Sequence, residues 1–370
     1  MKLTLSIFKA DVGSIGGDVR PSQRLLKTIG DYVLLNRKDL LKDLYVCHAG
    51  DDVAMLMSHT RGVGNPDIHH LAWKTFLAGA QAAQRQGLYR AGQDLEPGAF
   101  TGNVLGLGPV VAEMEIDERP GEPFLCFVTD NAAPETFNLP LYLVFADPMA
   151  NPWLLLSPAT RKGFRFAVWN AAATREDGHA GMIQLDAPEG LYELAAMLRE
   201  NENCVVESVW SRSSGEQTAA VSTEHSRPAG KGGGPVMLAR SQMDFPPTGD
   251  ILAPYHLGFP IGGSSRSSCR LPLMPVKMNS TESFFNGPPI VSCAAFSICE
   301  GRLTEPVDAF DNPFWDVVRA RSAEKALEGW QNGFFAAPSH PGREPVGPSP
   351  LLEPAGAARR ILSQSLNPPG

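Results

Sequence analysis

The 370-residue chain has no apolar run approaching the roughly 18 residues that a membrane-spanning helix needs. Its first residues, "MKLTLSIFKADVGS", have too short an apolar stretch for a signal peptide and meet Lys9 and Asp11 almost at once. There is no block of Lys or Arg, and a net charge of -8 is spread along the sequence, which argues against nucleic acid or anionic membrane as a partner. The six cysteines form no C-x-x-C pair, and Cys47, Cys126, Cys293 and Cys299 lie in apolar runs where buried free thiols are expected, as in a reducing cytoplasm. The Gly-rich "RGVGN" and "GLGP" segments lack the G-x-x-x-x-G-K-[ST] and G-x-G-x-x-G spacings, so a nucleotide site has little support. What is present is 43% hydrophobic residues, enough for a large core in one domain or two intermeshed ones.

Hydrophobic periodicity alternates between strand and helix. Leu3, Leu5 and Ile7 alternate along a first strand that ends at Asp11 and the glycines of "DVGSIGGD". "PSQRLLKTIGDYVLL" has helical spacing, with Pro21 suited to its start, and "DIHHLAWKTFLAGAQAAQRQG" is a second helix stopped at Gly87. Strands are expected at "LYVCHA", "DVAMLMSH", "PVVAEMEID", "PFLCFVTD", "FRFAVWN", "CVVESVWS", "PVMLAR" and "PPIVSCAAFSIC", with helices near 187–200 and 312–332. This pattern predicts a layered α/β or α+β architecture. Residues 211–234, polar and ending in three glycines, read as a surface loop. Eight prolines and four glycines in the last 33 residues predict an unstructured tail beyond a main body of residues 1–335.

Four carboxylates fall where strands meet loops: Asp11, the adjacent Asp51 and Asp52 of "HAGDDVAMLMSHTRGVGN", and Asp130 of "PFLCFVTD". Neighbouring carboxylates repel unless a cation or shared proton neutralises them. Strand edges are where α/β proteins place their sites, and Gln93 in "GLYRAGQDL" offers a neutral oxygen. Oxygen donors without Cys or His suit Mg²⁺ better than Zn²⁺, giving a multi-metal phosphate site as one reading and solvated turn caps as the other. His69 and His70 lie on the second helix with no acidic partner at ligand spacing, so surface or packing roles are expected; His48 is balanced between core packing and contact with a metal ligand.

The phrases "KADVGSIGGDVRPS", "HAGDDVAMLMSHTRGVGN", "GLYRAGQDL", "FTGNVLGLGPVVAEMEIDERP", "FNLPLYLVFADPMANPWLLLSP", "SVWSRSSGEQTAAVST", "FFNGPPIVSCAAFSI" and "GRLTEPVDAFDNPFWDVVR" resemble, in order over roughly residues 1–335, the archaeal and bacterial fructose-1,6-bisphosphate aldolase/phosphatase family, the class V fructose-bisphosphatases. The resemblance implies a four-layer α-β-β-α sandwich, an octamer whose neighbouring subunits share the site, and a Mg²⁺-dependent gluconeogenic enzyme. Such an enzyme joins dihydroxyacetone phosphate to glyceraldehyde 3-phosphate through a lysine Schiff base, then removes the 1-phosphate of the product. Position by position, it implies Asp11 as metal ligand and phosphatase base, and Asp51, Asp52, Gln93 and Asp130 as further ligands. Tyr89, Gly102, Asn103, Gln242 and Arg266 correspond to substrate contacts.

Departures from the family pattern cluster on function. Asp18 stands where the family has His, Asn131 where it has Lys, and Asn286 where it has Asp; no tyrosine follows Tyr255. In the aldolase loop, "RPAGKGGGPVMLAR", the family's Tyr is missing and glycines replace two metal-binding Asp. Lys231 is the only imine former there, and its alignment with the Schiff-base lysine depends on where the gap falls. The expectation is therefore a sugar-bisphosphate phosphatase with impaired aldolase chemistry. The alternative is a family member that binds another phosphorylated or carboxylated metabolite, with or without turnover.

Overall fold

The side chains of β1 (Lys2–Asp11) separate into two sets, and that alternation builds the layers. Leu3, Leu5 and Ile7 enter one apolar cluster, while Phe8, Ala10 and Val12 at and beyond the strand's end enter another. The computed structural model describes residues 1–92, 95, 109–170, 181–199, 204–222, 234–257, 260–263, 270–281 and 288–335. β1 lies between β3 (Asp52–His59) and β4 (Val110–Asp117), with β2 (Asp43–Ala49) outside β3, giving an antiparallel sheet of order β2-β3-β1-β4. On one face, α1 (Gln23–Asn36) and α2 (Pro66–Arg85) bury Leu25, Ile29, Val33, Ile68 and Phe76 against Phe8, Val53, Met55 and Met57. Pro21 does not open α1: Ser22 caps it, accepting from the Leu25 N–H at 3.0 Å, and Asn65 caps α2 in the same way.

The second sheet contains β5 (Pro123–Asp130), β6 (Phe164–Asn170), β7 (Gly181–Ala187), β8 (Cys204–Ser211), β9 (Gln217–Val221) and β10 (Val236–Arg240). Also in it are β13 (Met274–Pro275) and β14 (Ile290–Cys299), in the order β13-β14-β5-β10-β9-β8-β6-β7, while β11 (Pro260–Gly263) and β12 (Arg270–Pro272) pair with each other apart from it. Phe124, Cys126 and Val128 of β5 face the first sheet, meeting Leu3, Leu5 and Ile7; Leu125 and Phe127 face outward. The outer face is covered by α3 (Asn138–Phe145), α4 (Trp153–Leu156), α5 (Leu191–Arg199), α6 (Thr248–Leu252) and α7 (Pro313–Phe335), through residues such as Leu141, Leu154, Leu194, Ile251 and Trp315. The layers therefore run helix, sheet, sheet, helix, with three apolar clusters between them.

Three expectations change. The expected surface loop is cut short: residues 212–216 form a turn exposed at 213–215, but β9 is an inner strand with Thr218 and Ala219 fully buried, its small side chains giving little sequence contrast, and 223–233 lie outside the described residues. β7 and α3 are elements that the periodicity did not single out. Cys47, Cys126 and Cys293 are buried free thiols, but Cys299, at the end of β14, is exposed. Among the described residues, no helix is long and apolar enough to cross a membrane. The C-terminal segment 336–370 lies outside the described residues.

One buried polar chain pins α2 to the sheet. The Arg61 N–H donates to His59 Nδ1 at 3.2 Å, His59 Nε2 lies 2.8 Å from the Ser6 hydroxyl, and Ser6 donates to Glu113 at 2.6 Å. An Nδ1 that accepts and a Ser6 proton already given to Glu113 leave Nε2 as the donor, so His59 is a neutral imidazole. Glu113 also accepts from the Gly64 N–H at 2.6 Å and lies 3.2 Å from His69 of α2, whose ring meets the Phe8 edge. His69 thus has a packing role as expected, but its acidic partner comes from a distant strand; His70 is exposed. Burial drives the His59 pKa down to about 4, against the opposing pull of Glu113. Burial alone would raise Glu113, but hydrogen bonds from His69, Ser6 and Gly64 hold it below the ordinary range.

In the unfolded chain His59 titrates near 6.5, so between that value and about 4 the unfolded state holds the extra proton and stability is lost as pH falls. The full window is worth roughly 3 kcal/mol. Denaturant melts from pH 7.5 to 4 should show this loss in the wild type and a clearly flatter profile in His59→Gln. Parallel profiles would contradict a neutral buried His59.

Candidate active site

The alternation that sends Leu3, Leu5 and Ile7 between the sheets also sends Lys9 and Asp11 there. The same parity places Asp52 with Ala54 and Leu56 on β3, and Asp130 with Cys126 and Val128 on β5. One end of the inter-sheet layer is therefore lined with carboxylates. Asp11 sits directly opposite Asp52 in the β1–β3 register, a like-charge cross-strand pair that is unfavourable without a cation. Asp51 lies in the β2–β3 turn, and Asp18 arrives from the loop after β1 with φ +58°, held by its N–H to the Ser14 hydroxyl at 3.0 Å. Asp51, Asp52 and Asp130 are buried and present carboxylate oxygens within 4.8 Å of one another; so do Asp11, Asp18 and Asp51.

Two groups sharing Asp51 fit divalent cations. Bonds of 2.0–2.6 Å span oxygens roughly 4–5 Å apart, and an all-oxygen donor set selects a hard ion. Backbone devices hold the arrangement. Gly50 turns with φ +56°, and a methyl group built there would overlap the Asp130 carboxylate, so the turn is a cradle that only glycine leaves open. The Gly50 N–H donates to the Ser280 carbonyl at 3.0 Å, and His48 Nδ1 donates to the Gly50 carbonyl at 2.9 Å. Burial pushes the His48 pKa down, against the Gly50 bond, so this histidine braces the turn as a neutral ring. Asp11 accepts from the Gly13 N–H at 2.9 Å, and Asp130 from the Asn131 N–H at 2.6 Å. Asn131 is buried with φ +54°, a conformation that asparagine tolerates well.

Two cations that the sequence reading did not single out meet the carboxylates. Lys9, buried between the sheets, contacts the Asp52 carboxylate and donates to the Thr129 carbonyl of β5 at 3.0 Å. Its signal was present: it interrupts the apolar series Leu3, Leu5, Ile7 at the next inward position. Arg90 pairs with Asp18 at 3.4 Å and lies over the ring of half-exposed Tyr89, whose backbone bridges Ser14.

Other expected contacts divide by position. Gln242 follows β10 at its far end, where the Ser241 N–H donates to the Pro123 carbonyl. The length of β5 separates it from Asp130, roughly 20 Å by strand rise, so one chain does not bring Gln242 to the cluster. Tyr255, the last tyrosine, is buried and stacked on Phe127 in the outer core, on the wrong side of the sheet to serve this site. Gln93, Gly102, Asn103, Lys231, Arg266 and Asn286 lie outside the described residues. Gly234, three positions after Lys231 in the sequence, packs against Thr129 and Ala132 beside Asp130.

Gly50→Ala should weaken Mg²⁺ binding about 10–100-fold by displacing Asp130. Gly121→Ala, at φ +74° with nothing within 4 Å of the added methyl, carries comparable backbone strain far from the carboxylates and should leave binding unchanged. Titration calorimetry with Mg²⁺ on the two variants checks the cradle; equal affinities would remove its role.

A family model described as fructose-1,6-bisphosphatase matches residues 2–344. The chain is 48% identical over 370 residues to a fructose-1,6-bisphosphate aldolase/phosphatase of Thermus thermophilus, covering 98% of each chain. It is 39% identical over 333 residues to one from Ignicoccus hospitalis, covering 88% of this chain and 84% of that one. A third, from Moorella thermoacetica, is 39% identical over 331 residues, covering 88% and 85%. Identity sustained at this level from the first strand through the last helix makes the chain a member of the fructose-1,6-bisphosphatase family.

Proposed function

We propose that this protein is a Mg²⁺-dependent phosphatase that converts fructose 1,6-bisphosphate to fructose 6-phosphate in gluconeogenesis, with its aldolase half impaired. The observation that carries the reading is the pair of oxygen-only carboxylate groups sharing Asp51. Asp11, Asp18, Asp51, Asp52 and Asp130 would hold the ions, with Gln93 as a further donor. Bound Mg²⁺ would spread the charge of the transferring phosphoryl group and lower the pKa of the attacking water.

Asp11 closes β1 at the mouth of the inter-sheet layer, with Gly13 fixing one of its oxygens, and accepts the proton of that water. The water oxygen bonds to phosphorus as the bond from phosphorus to the sugar's 1-oxygen breaks, and the released alkoxide is protonated from solvent. Arg90, aligned by Asp18 and Tyr89, puts a cation where an anionic substrate arrives, and Asn131 leaves that rim less positive than a lysine would.

The displaced Gln242 supports an assembly in which a neighbouring subunit completes the site, consistent with an octamer. The same reading takes residues 1–335 as one domain and the cytoplasm as its location. The aldolase step lacks its tyrosine, since Tyr255 is locked in the outer core, and Lys231 is flanked by glycines in place of acidic partners.

Phosphate release from fructose 1,6-bisphosphate with Mg²⁺ should fall about 10²–10⁴-fold in Asp11→Asn. Wild-type release no greater than that of the variant would favour a binder without turnover. Borohydride reduction with dihydroxyacetone phosphate should leave Lys231 unmodified, whereas a trapped adduct would restore the aldolase.

A further inference from the structure

Lys9 is fully enclosed between the two sheets and faces the acidic end of the layer. From the inward face of β1 it reaches diagonally to Asp52 on β3 and across the gap to the Thr129 carbonyl on β5. Asp52 belongs to the first sheet and Asp130, next to Thr129, to the second, so this one side chain joins the two halves of the carboxylate group. The position is otherwise apolar in character: Leu3, Leu5 and Ile7 precede it on the same face. A lysine in an ordinary core is unfavourable, and replacing a buried ion pair with apolar side chains is often neutral or stabilising. Its placement here answers the local charge: five carboxylates converge, and among the described residues Lys9 is the fully buried cation beside them.

We infer that Lys9 is a positioning residue that acts as a permanent internal cation of the site, joining Asp52 to β5 and occupying a place that a divalent ion would otherwise have to fill. The inference rests on the metal-dependent reading above. With Lys9 present, the five ionised carboxylates carry a formal net charge that two divalent ions cancel in full, before the more exposed Arg90 is counted. Without it, Asp52 faces Asp11 and Asp51 with that counter-charge removed, and the metal-free fold should suffer most. A lysine that only packs or only ties strands together would matter equally with and without metal.

The test is thermal melting of the wild type, Lys9→Met and Lys9→Gln in EDTA and in saturating Mg²⁺ at matched ionic strength, with Mg²⁺ uptake measured by calorimetry. Met keeps the length and removes the charge; Gln keeps a donor. In EDTA both variants should melt about 5–10 °C below the wild type. Saturating Mg²⁺ should close at least about half of that gap, because the ion replaces the missing charge and binds only the folded site. A gap that stays the same width while the wild type takes up Mg²⁺ overturns the inference alone, as do variants that fail to fold even in saturating Mg²⁺. A wild type that takes up no Mg²⁺ overturns the metal reading and this inference with it.

Discussion

Like charges crowded between two sheets set the terms for this structure. Carboxylates about 5 Å apart repel by a few kcal/mol per pair at an effective dielectric constant near 20, and here several such pairs share one end of a buried layer. Such an arrangement persists only where cations answer it and the rest of the layer holds the sheets in place. The apolar cluster of Leu3, Leu5, Ile7, Phe124, Cys126 and Val128 supplies the second condition, and Lys9 contributes to the first, the proposed divalent ions supplying the rest. Hydrophobic burial and electrostatic strain thus occupy opposite ends of the same strands.

The backbone around the carboxylates is arranged for close approach. Gly50 lacks the atoms that would collide with Asp130, His48 and Ser280 fix the Gly50 peptide, and the loop through Asn279 closes over the β2–β3 turn by accepting the His48 N–H at 3.0 Å. These contacts come from both sheets, so the site's geometry is a property of their stacking. Asp18 and Asn131 adopt left-handed backbone conformations at the rim, where short polar side chains are the least strained non-glycine choices. The proposed loss of the aldolase half rests on these rim positions and on the loop around Lys231, whereas the proposed metal chemistry rests on the inner carboxylates.

At other places the same logic gives stability without catalysis. Arg240, fully buried, makes a two-point pair with Glu122 at 2.7 and 3.1 Å and stacks over Phe245. Glu113, with Ser6, Gly64 and His69 around it, is a second, largely buried carboxylate met by several partners. At the carboxylate cluster the metal-dependent reading leaves part of the counterpart to exchangeable ions.

The sequence by itself determined the strand and helix rhythm, the parity that turns Asp11, Asp52 and Asp130 inward, and, through long phrases, the family. Periodicity carries that information because a strand's side chains alternate whatever it packs against. It did not reveal β9, whose small residues give no contrast, nor the partnership of His69 with Glu113, which are far apart along the chain. Only the tertiary structure decided that Lys9 meets Asp52 and Thr129, that Gly50 must be glycine, and that Gln242 stands a strand's length from the carboxylates. Those facts depend on the stacking and register of two sheets, and contacts across a gap leave no mark on local spacing.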